Sequence, residues 1–156
     1  MNFEKQNNNK SICNILFGPS DAPEVAYKDC GMFLYTLAKY FNWNSIYVYY
    51  KTRESDTIWN QEFSSYVKTI CIGETSDYKK QIELAKLYLR EHIHEFDVIM
   101  FFNYGSTVWK LAKYCKQLKP DIIVYSKLDM GIGGFEHFCG NKPFMWIRNY
   151  AEKLKS

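Results

Sequence analysis

The sequence predicts an α/β fold: a doubly wound, parallel sheet of the Rossmann-like kind, with helices on both faces in three α/β/α layers. Three observations carry that prediction. Val98-Ile99-Met100-Phe101-Phe102 and Ile122-Ile123-Val124-Tyr125 are apolar runs too continuous for half-exposed strands, and strands buried on both faces belong to parallel sheets covered by helices. Between them Val108, Leu111, Ala112, Cys115 and Leu118 form one helical stripe, and parallel strands need such a crossover. The same alternation of strand and helix repeats along the chain.

Taken in order, residues 1–10, with Asn7-Asn8-Asn9, read as a mobile tail before a single domain over 11–156. Ser11–Phe17 is the first strand, followed by the turn-rich Gly18-Pro19-Ser20-Asp21-Ala22-Pro23-Glu24. Cys30, Phe33, Leu34, Leu37, Ala38 and Phe41 give a helix over Lys28–Phe41; Asn42 and Asn44 end it, since Asn tolerates a left-handed backbone. Strand two is Ser45–Tyr50, Lys51–Asn60 is irregular, and Phe63–Tyr66 holds a short turn. Strand three, Val67–Ile72, closes at Gly73; Ser76-Asp77 caps a helix over Tyr78–His94 with Ile82, Ala85, Leu89 and Ile93 inward. Ser106 caps the crossover helix and Lys119-Pro120 stops it. Met130–Asn141 reads as a loop, and Pro143 as the first residue of a last helix carrying Ile147, Tyr150, Ala151 and Leu154. The expected strand order is 3-2-1-4-5.

Composition bounds the function. At 47% hydrophobic and 24% charged, the 156 residues suit one folded domain. A net charge of +3 without a basic tract argues against nucleic acid as a partner. The 18% aromatic content is high, which fits a ligand cleft or an interaction surface such as a homodimer contact. Lys110, Lys113, Lys116 and Lys119 recur in steps of three and so spread around their helix. Their plain reading is a solvated face; the functional one is peripheral contact with acidic lipid headgroups. With no long apolar run and no basic-then-apolar leader, a cytoplasmic protein is expected, at most peripheral on the inner face of a membrane. The five cysteines include no CxxC pair and read as reduced, mostly buried thiols.

Most motifs are missing. Gly18-Pro19-Ser20 is not the GxGxxG of a dinucleotide fold, and GxxxxGK[ST] does not occur. Lys127 suits a phosphoryl-receiver site, but Phe17-Gly18 and Ile72-Gly73 supply none of its carboxylates. Gly131-Ile132-Gly133-Gly134 reads as a flexible loop before an anion nest. His92 and His94 read as surface residues rather than metal ligands. In parallel sheets ligands sit outside the carboxyl ends of the strands, which singles out Asn103, Tyr104, Lys127 and Asp129, with His137 in the loop beyond. Asp129 is the sharpest candidate, since a carboxylate there binds hydroxyls or acts as a base; its plain reading is a loop cap. No Asp-x-Asp pair exists for a metal-held sugar nucleotide.

One stretch, Tyr27-Lys28-Asp29-Cys30-Gly31-Met32-Phe33-Leu34-Tyr35-Thr36-Leu37, resembles the start of the first helix in bacterial two-domain (GT-B) glycosyltransferases of cell-surface polysaccharide biosynthesis. Asp97–Ser106 and Tyr125-Ser126-Lys127-Leu128-Asp129 resemble later elements of the same family, so the likeness spans roughly residues 11–155. The resemblance implies the amino-terminal, acceptor-binding half of such a transferase, acting on a lipid-linked or polysaccharide acceptor. It implies metal-independent chemistry and no cofactor here, the nucleotide-sugar donor being held by a carboxyl-terminal domain that this sequence lacks. Gly18, Lys28, Asp29 and Gly31 would flank the cleft. Asn103, Tyr104 and Gly105 would line it, with Lys127 and Asp129 nearest the reacting hydroxyl. Many members carry a His at one of those last two positions; this sequence has none there. The alternative is a stand-alone Rossmann-like binding module that self-associates through its aromatics.

Overall fold

Side chains alternate across a strand, so a strand covered on both faces must be apolar at every position or bury the exceptions. Ser11–Leu16 (β1) does this, with all six residues buried. The computed structural model describes residues 9–17, 26–27, 29–51, 59–102 and 106–127. Within them lie Asp29–Phe41 (α1), Asn44–Lys51 (β2), Gln61–Ser64 (α2), Val67–Glu74 (β3), Tyr78–His92 (α3), Val98–Phe102 (β4), Ser106–Leu118 (α4) and Ile123–Lys127 (β5). The expected loop over 130–141 and helix from Pro143 lie outside the described residues, as does most of the tail.

The five strands form one sheet in the order β3-β2-β1-β4-β5, every neighbouring pair parallel. It is doubly wound. Ile12, Leu16, Tyr47, Tyr49, Val98 and Met100 face the layer of α1 and α2, where Leu34 and Phe63 meet them. Cys13, Ile15, Ile46, Val48, Ile99 and Phe101 face the opposite layer, with Ala85 and Leu89 of α3 and Val108, Leu111 and Cys115 of α4. The three-layer Rossmann-like architecture predicted from the alternation of runs is therefore the one observed.

The departures are local, and each has a reason. Gly73 does not close β3; the strand continues to Glu74 because a register shift lets Lys51 pair with Glu74, and the Thr75 amide donates to the Lys51 carbonyl. The helix predicted to reach His94 ends at His92, tightening into a 3-10 turn over Ile93–Glu95. The turn at 63–66 is a one-turn helix (α2) begun by Asn60, whose side chain accepts from the Glu62 and Phe63 amides. The β5 run starts one residue late and extends through Ser126 and Lys127. It is also not buried throughout: Ile123 and Tyr125 are exposed, because β5 is an edge strand among the described residues. Phe33 and Phe41 of the predicted α1 stripe are exposed, Phe33 with its ring stacked on Tyr125 of β5, while Leu34 keeps the core position. Asn42 ends α1 as expected, in the left-handed region at φ 57°.

One buried glutamine was not anticipated. Gln81 sits inside the α3 layer with its side-chain nitrogen donating to the Thr75 carbonyl at 3.1 Å, and its backbone carbonyl accepts the Tyr50 hydroxyl at 2.6 Å. These bonds fix the start of α3 against the far end of β2. Burial raises the Tyr50 hydroxyl well above its ordinary value, so it acts here as a neutral donor.

Candidate functional site

In a sheet ordered 3-2-1-4-5 the chain leaves β1 toward one side and returns as β4 on the other, which opens a crevice beyond their carboxyl ends. Register defines that rim: Leu16 pairs with Phe102, and Phe102 with Lys127. The last residues of β1, β4 and β5 are thus side by side. Asn103, Tyr104 and Gly105 follow β4 directly in sequence, Gly18 follows β1, and Asp129 follows β5. α1 and α4, of 13 residues each, are the next long helices after β1 and β4 and begin at Asp29 and Ser106. Helices entered from a parallel strand turn their amino ends toward this rim, where the helix dipole favours electron-rich oxygens.

Gly18, Lys28, Asn103, Tyr104, Gly105, Asp129 and His137 lie outside the described residues. Of the other expected site residues, Asp29 opens α1 and Lys127 closes β5. Gly31 is buried in the first turns of α1, and a Cβ there would lie 2.0 Å from the Ala26 carbonyl oxygen. Only glycine admits so close a backbone approach. Its place beside the rim therefore has a packing reason of its own.

The opposite, amino-terminal rim carries a hydrogen-bonded carboxylate, Asp97. Asp97 Oδ2 accepts from the Ser11 amide at 2.8 Å and from the Ser11 hydroxyl at 3.1 Å, tying the starts of β4 and β1 together. Those bonds hold its carboxyl below the usual carboxylate range, helped by Lys119 and Lys10. Lys10, Trp43, Asp97, Lys119, Asp121 and Ile123 border a small cavity of about 230 Å³ there. Two of its ionic groups hold strand ends: Asp97 does so through Ser11, and Lys119 Nζ donates to the Phe96 carbonyl at 2.6 Å. Because the folded carboxyl of Asp97 titrates lower than an unfolded one, its contribution is complete above the ordinary carboxylate value and lost as pH falls through the folded value. Asp97→Ala is expected to lower stability by about 1 kcal/mol at neutral pH, the scale of a half-exposed charged hydrogen bond. The difference from the parent should vanish in acid, as read by urea unfolding at several pH values.

Two polar features escaped the sequence reading. On the outer side of α1, Lys39 Nζ reaches the Tyr35 hydroxyl at 2.5 Å and Glu62 Oε1 at 2.9 Å, tying α1 to α2. The Tyr35, Tyr40 and Tyr66 rings lie 5.0–5.8 Å from the same ammonium. In the core, Asn14 is fully buried on β1, and neither amide atom has a hydrogen-bond partner among the described residues. Its place inside Ser11-Ile12-Cys13-Asn14-Ile15-Leu16-Phe17 was a visible signal: one amide interrupting an apolar run.

Cys13 and Cys115 are buried free thiols; burial raises Cys13 well above its ordinary value and pushes Cys115 up to about 12. Among the described residues, no three His, Cys, Asp or Glu side chains gather as metal ligands would. His92 Nδ1 lies 2.7 Å from Glu95 on the surface.

Compared with models of known protein families and with curated proteins, the sequence matches none.

Proposed function

We propose that this chain is the acceptor-binding half of a metal-independent glycosyltransferase, receiving a polysaccharide or lipid-linked sugar at the carboxyl-terminal rim of its sheet. The observation that carries the reading is the switch point: β1 and β4 are parallel neighbours, and the carboxyl end of β4 adjoins that of β5. The stretches continuing from those ends hold Asn103, Tyr104, Lys127 and Asp129, polar groups suited to sugar hydroxyls. The resemblance of residues 27–37 to the first helix of GT-B transferases supplies the reaction class. Within it, Asp129 is the group assigned to the acceptor's reacting hydroxyl, with Lys127 as its charged neighbour. The donor's nucleotide belongs to a second domain, so chemistry here rests on positioning.

Isothermal titration should therefore detect short oligosaccharides and no nucleotide sugar, and the chain by itself should transfer no sugar. Measured transfer by this chain, or tight binding of a nucleotide sugar, would sink the proposal. A second reading, a non-catalytic module that self-associates, draws on Tyr40 and Phe41, which are 69% and 64% exposed on α1. It predicts a concentration-dependent mass in light scattering and no sugar binding.

A further inference from the structure

The recess at the amino-terminal rim holds more charge than the strand ends use. At about 230 Å³ it lies between the chain entering β1, the residue before β2 and the starts of β4 and β5. That is below the ~300 Å³ of the smallest drug-sized sites, so it suits a small molecule. Its walls differ in kind. Trp43 and Ile123 are apolar, Trp43 half-buried and Ile123 60% exposed. Lys10 and Lys119 bring positive charge, Asp97 and Asp121 negative. Both Ser11 bonds to the Asp97 carboxylate fall on Oδ2, which leaves Oδ1 open. The Asp121 carboxylate has no hydrogen bond or ion pair among the described residues. Lys119 uses one of its three N–H donors on the Phe96 carbonyl. Lys10 Nζ stands 5.7 Å from the Trp43 ring centroid, drawn there by the negative face of the indole.

Two cations and two carboxylates around one small space balance, and that selects the ligand. A simple anion meets Asp97 and Asp121, a simple cation meets Lys10 and Lys119, and each is repelled as it is held. A neutral sugar offers hydroxyls to all four and charge to none. A molecule carrying an ammonium and a carboxylate on one carbon satisfies both signs, and an aliphatic group on that carbon covers Trp43 and Ile123. The carboxyl ends of α1 and α4, at Phe41 and Leu118, turn toward this rim, where the helix dipole favours the ammonium. We infer that the amino-terminal rim binds a free α-amino acid with an apolar side chain, its carboxylate at Lys10 and Lys119 and its ammonium at Asp121 and Asp97 Oδ1. The site lies at the ends of β1, β4 and β5 opposite to those proposed for sugars, and the inference stands apart from sugar transfer.

The test titrates isotope-labelled protein with L-leucine and follows the amide shifts. Saturable shifts are expected at Lys10, Trp43, Asp97 and Asp121, with a dissociation constant of about 1 mM or below, the scale of so small a ligand. Leucinamide lacks the carboxylate and isocaproate lacks the ammonium. Each should bind about tenfold more weakly than leucine, the worth of one charged hydrogen bond. Lys10→Gln and Asp121→Asn should weaken leucine by a similar factor, while Lys79→Gln, on α3, leaves it unchanged. Lys10 and Asp121 are exposed, and the ligand-free amide spectrum reports whether each variant is folded. In Asp121→Asn the preference for leucine over isocaproate should shrink, which a folding defect does not mimic. No saturable shift by about 20 mM leucine, well above the expected constant, would overturn the inference. So would equal binding of leucine and both truncated analogues, leucine affinity unchanged in both variants, or shifts centred on Lys127 at the other rim.

Discussion

Gly31→Ala is expected to destabilise the protein by about 2–3 kcal/mol, the cost of forcing atoms into a packed interior. For a chain of this size that lowers the melting temperature by about 5–10 °C. The methyl carbon would sit 2.0 Å from the Ala26 oxygen and 2.6 Å from its carbonyl carbon. Both belong to backbone, which has no rotamer to change, so α1 or the segment before it must shift. Gly73→Ala provides the internal comparison. There the new methyl meets only the Cδ1 end of Leu84 at 2.5 Å, with that side chain's other atoms at 3.7 Å. Leu84 is partly buried and turns aside, and alanine is the better strand former, so the net change should stay below about 1 kcal/mol. Equal effects at the two glycines would mean that the Ala26 carbonyl does not lie against Gly31 as described.

Asn14→Leu is expected to raise stability by about 1–2 kcal/mol, seen as a higher urea midpoint with an unchanged slope. Asn14 lies between Tyr47 of β2 and Met100 of β4 at the centre of the sheet. A fully buried amide with no protein partner costs desolvation and returns nothing. Leucine has nearly the same shape and removes that cost, whereas Asn14→Ala should lower stability by opening a cavity. The Ser45 hydroxyl is also buried without a partner among the described residues, on the neighbouring strand, two pairs along the register from Asn14. A loss of stability in Asn14→Leu would show that the amide is hydrogen-bonded in solution, and the orphan account would fail.

The parallel sheet was legible because burial on both faces leaves an unbroken apolar run, and β4 carries such a run. α4 was legible for the complementary reason: one covered face leaves a clean stripe, and Val108, Leu111 and Cys115 are the residues buried. Periodicity failed where an element lies at the margin of the sheet. Ile123 and Tyr125 look like core but belong to an edge strand among the described residues, and Phe33 and Phe41 look like the inward stripe of α1 yet stay exposed. Hydrophobicity says that a residue prefers burial; it does not say which neighbour arrives to bury it. The site was legible only as a location. Strand order places the rim, and Leu16, Phe102 and Lys127 mark it in register, but the pattern does not report how the polar groups beyond them converge. The Lys39–Tyr35–Glu62 cluster was not legible, since it joins two helices through a turn whose partner no local spacing announces.

The most direct test of the central claim is an amide-shift map of isotope-labelled protein titrated with short oligosaccharides ending in a hexose or an N-acetylhexosamine. The account predicts saturable shifts at Gly18, Asn103, Tyr104, Gly105, Lys127 and Asp129, with Lys10, Asp97 and Asp121 at the other rim unmoved. Shifts centred on Asp97 and Asp121, or none at the carboxyl ends of β1, β4 and β5 with any sugar tried, would contradict it.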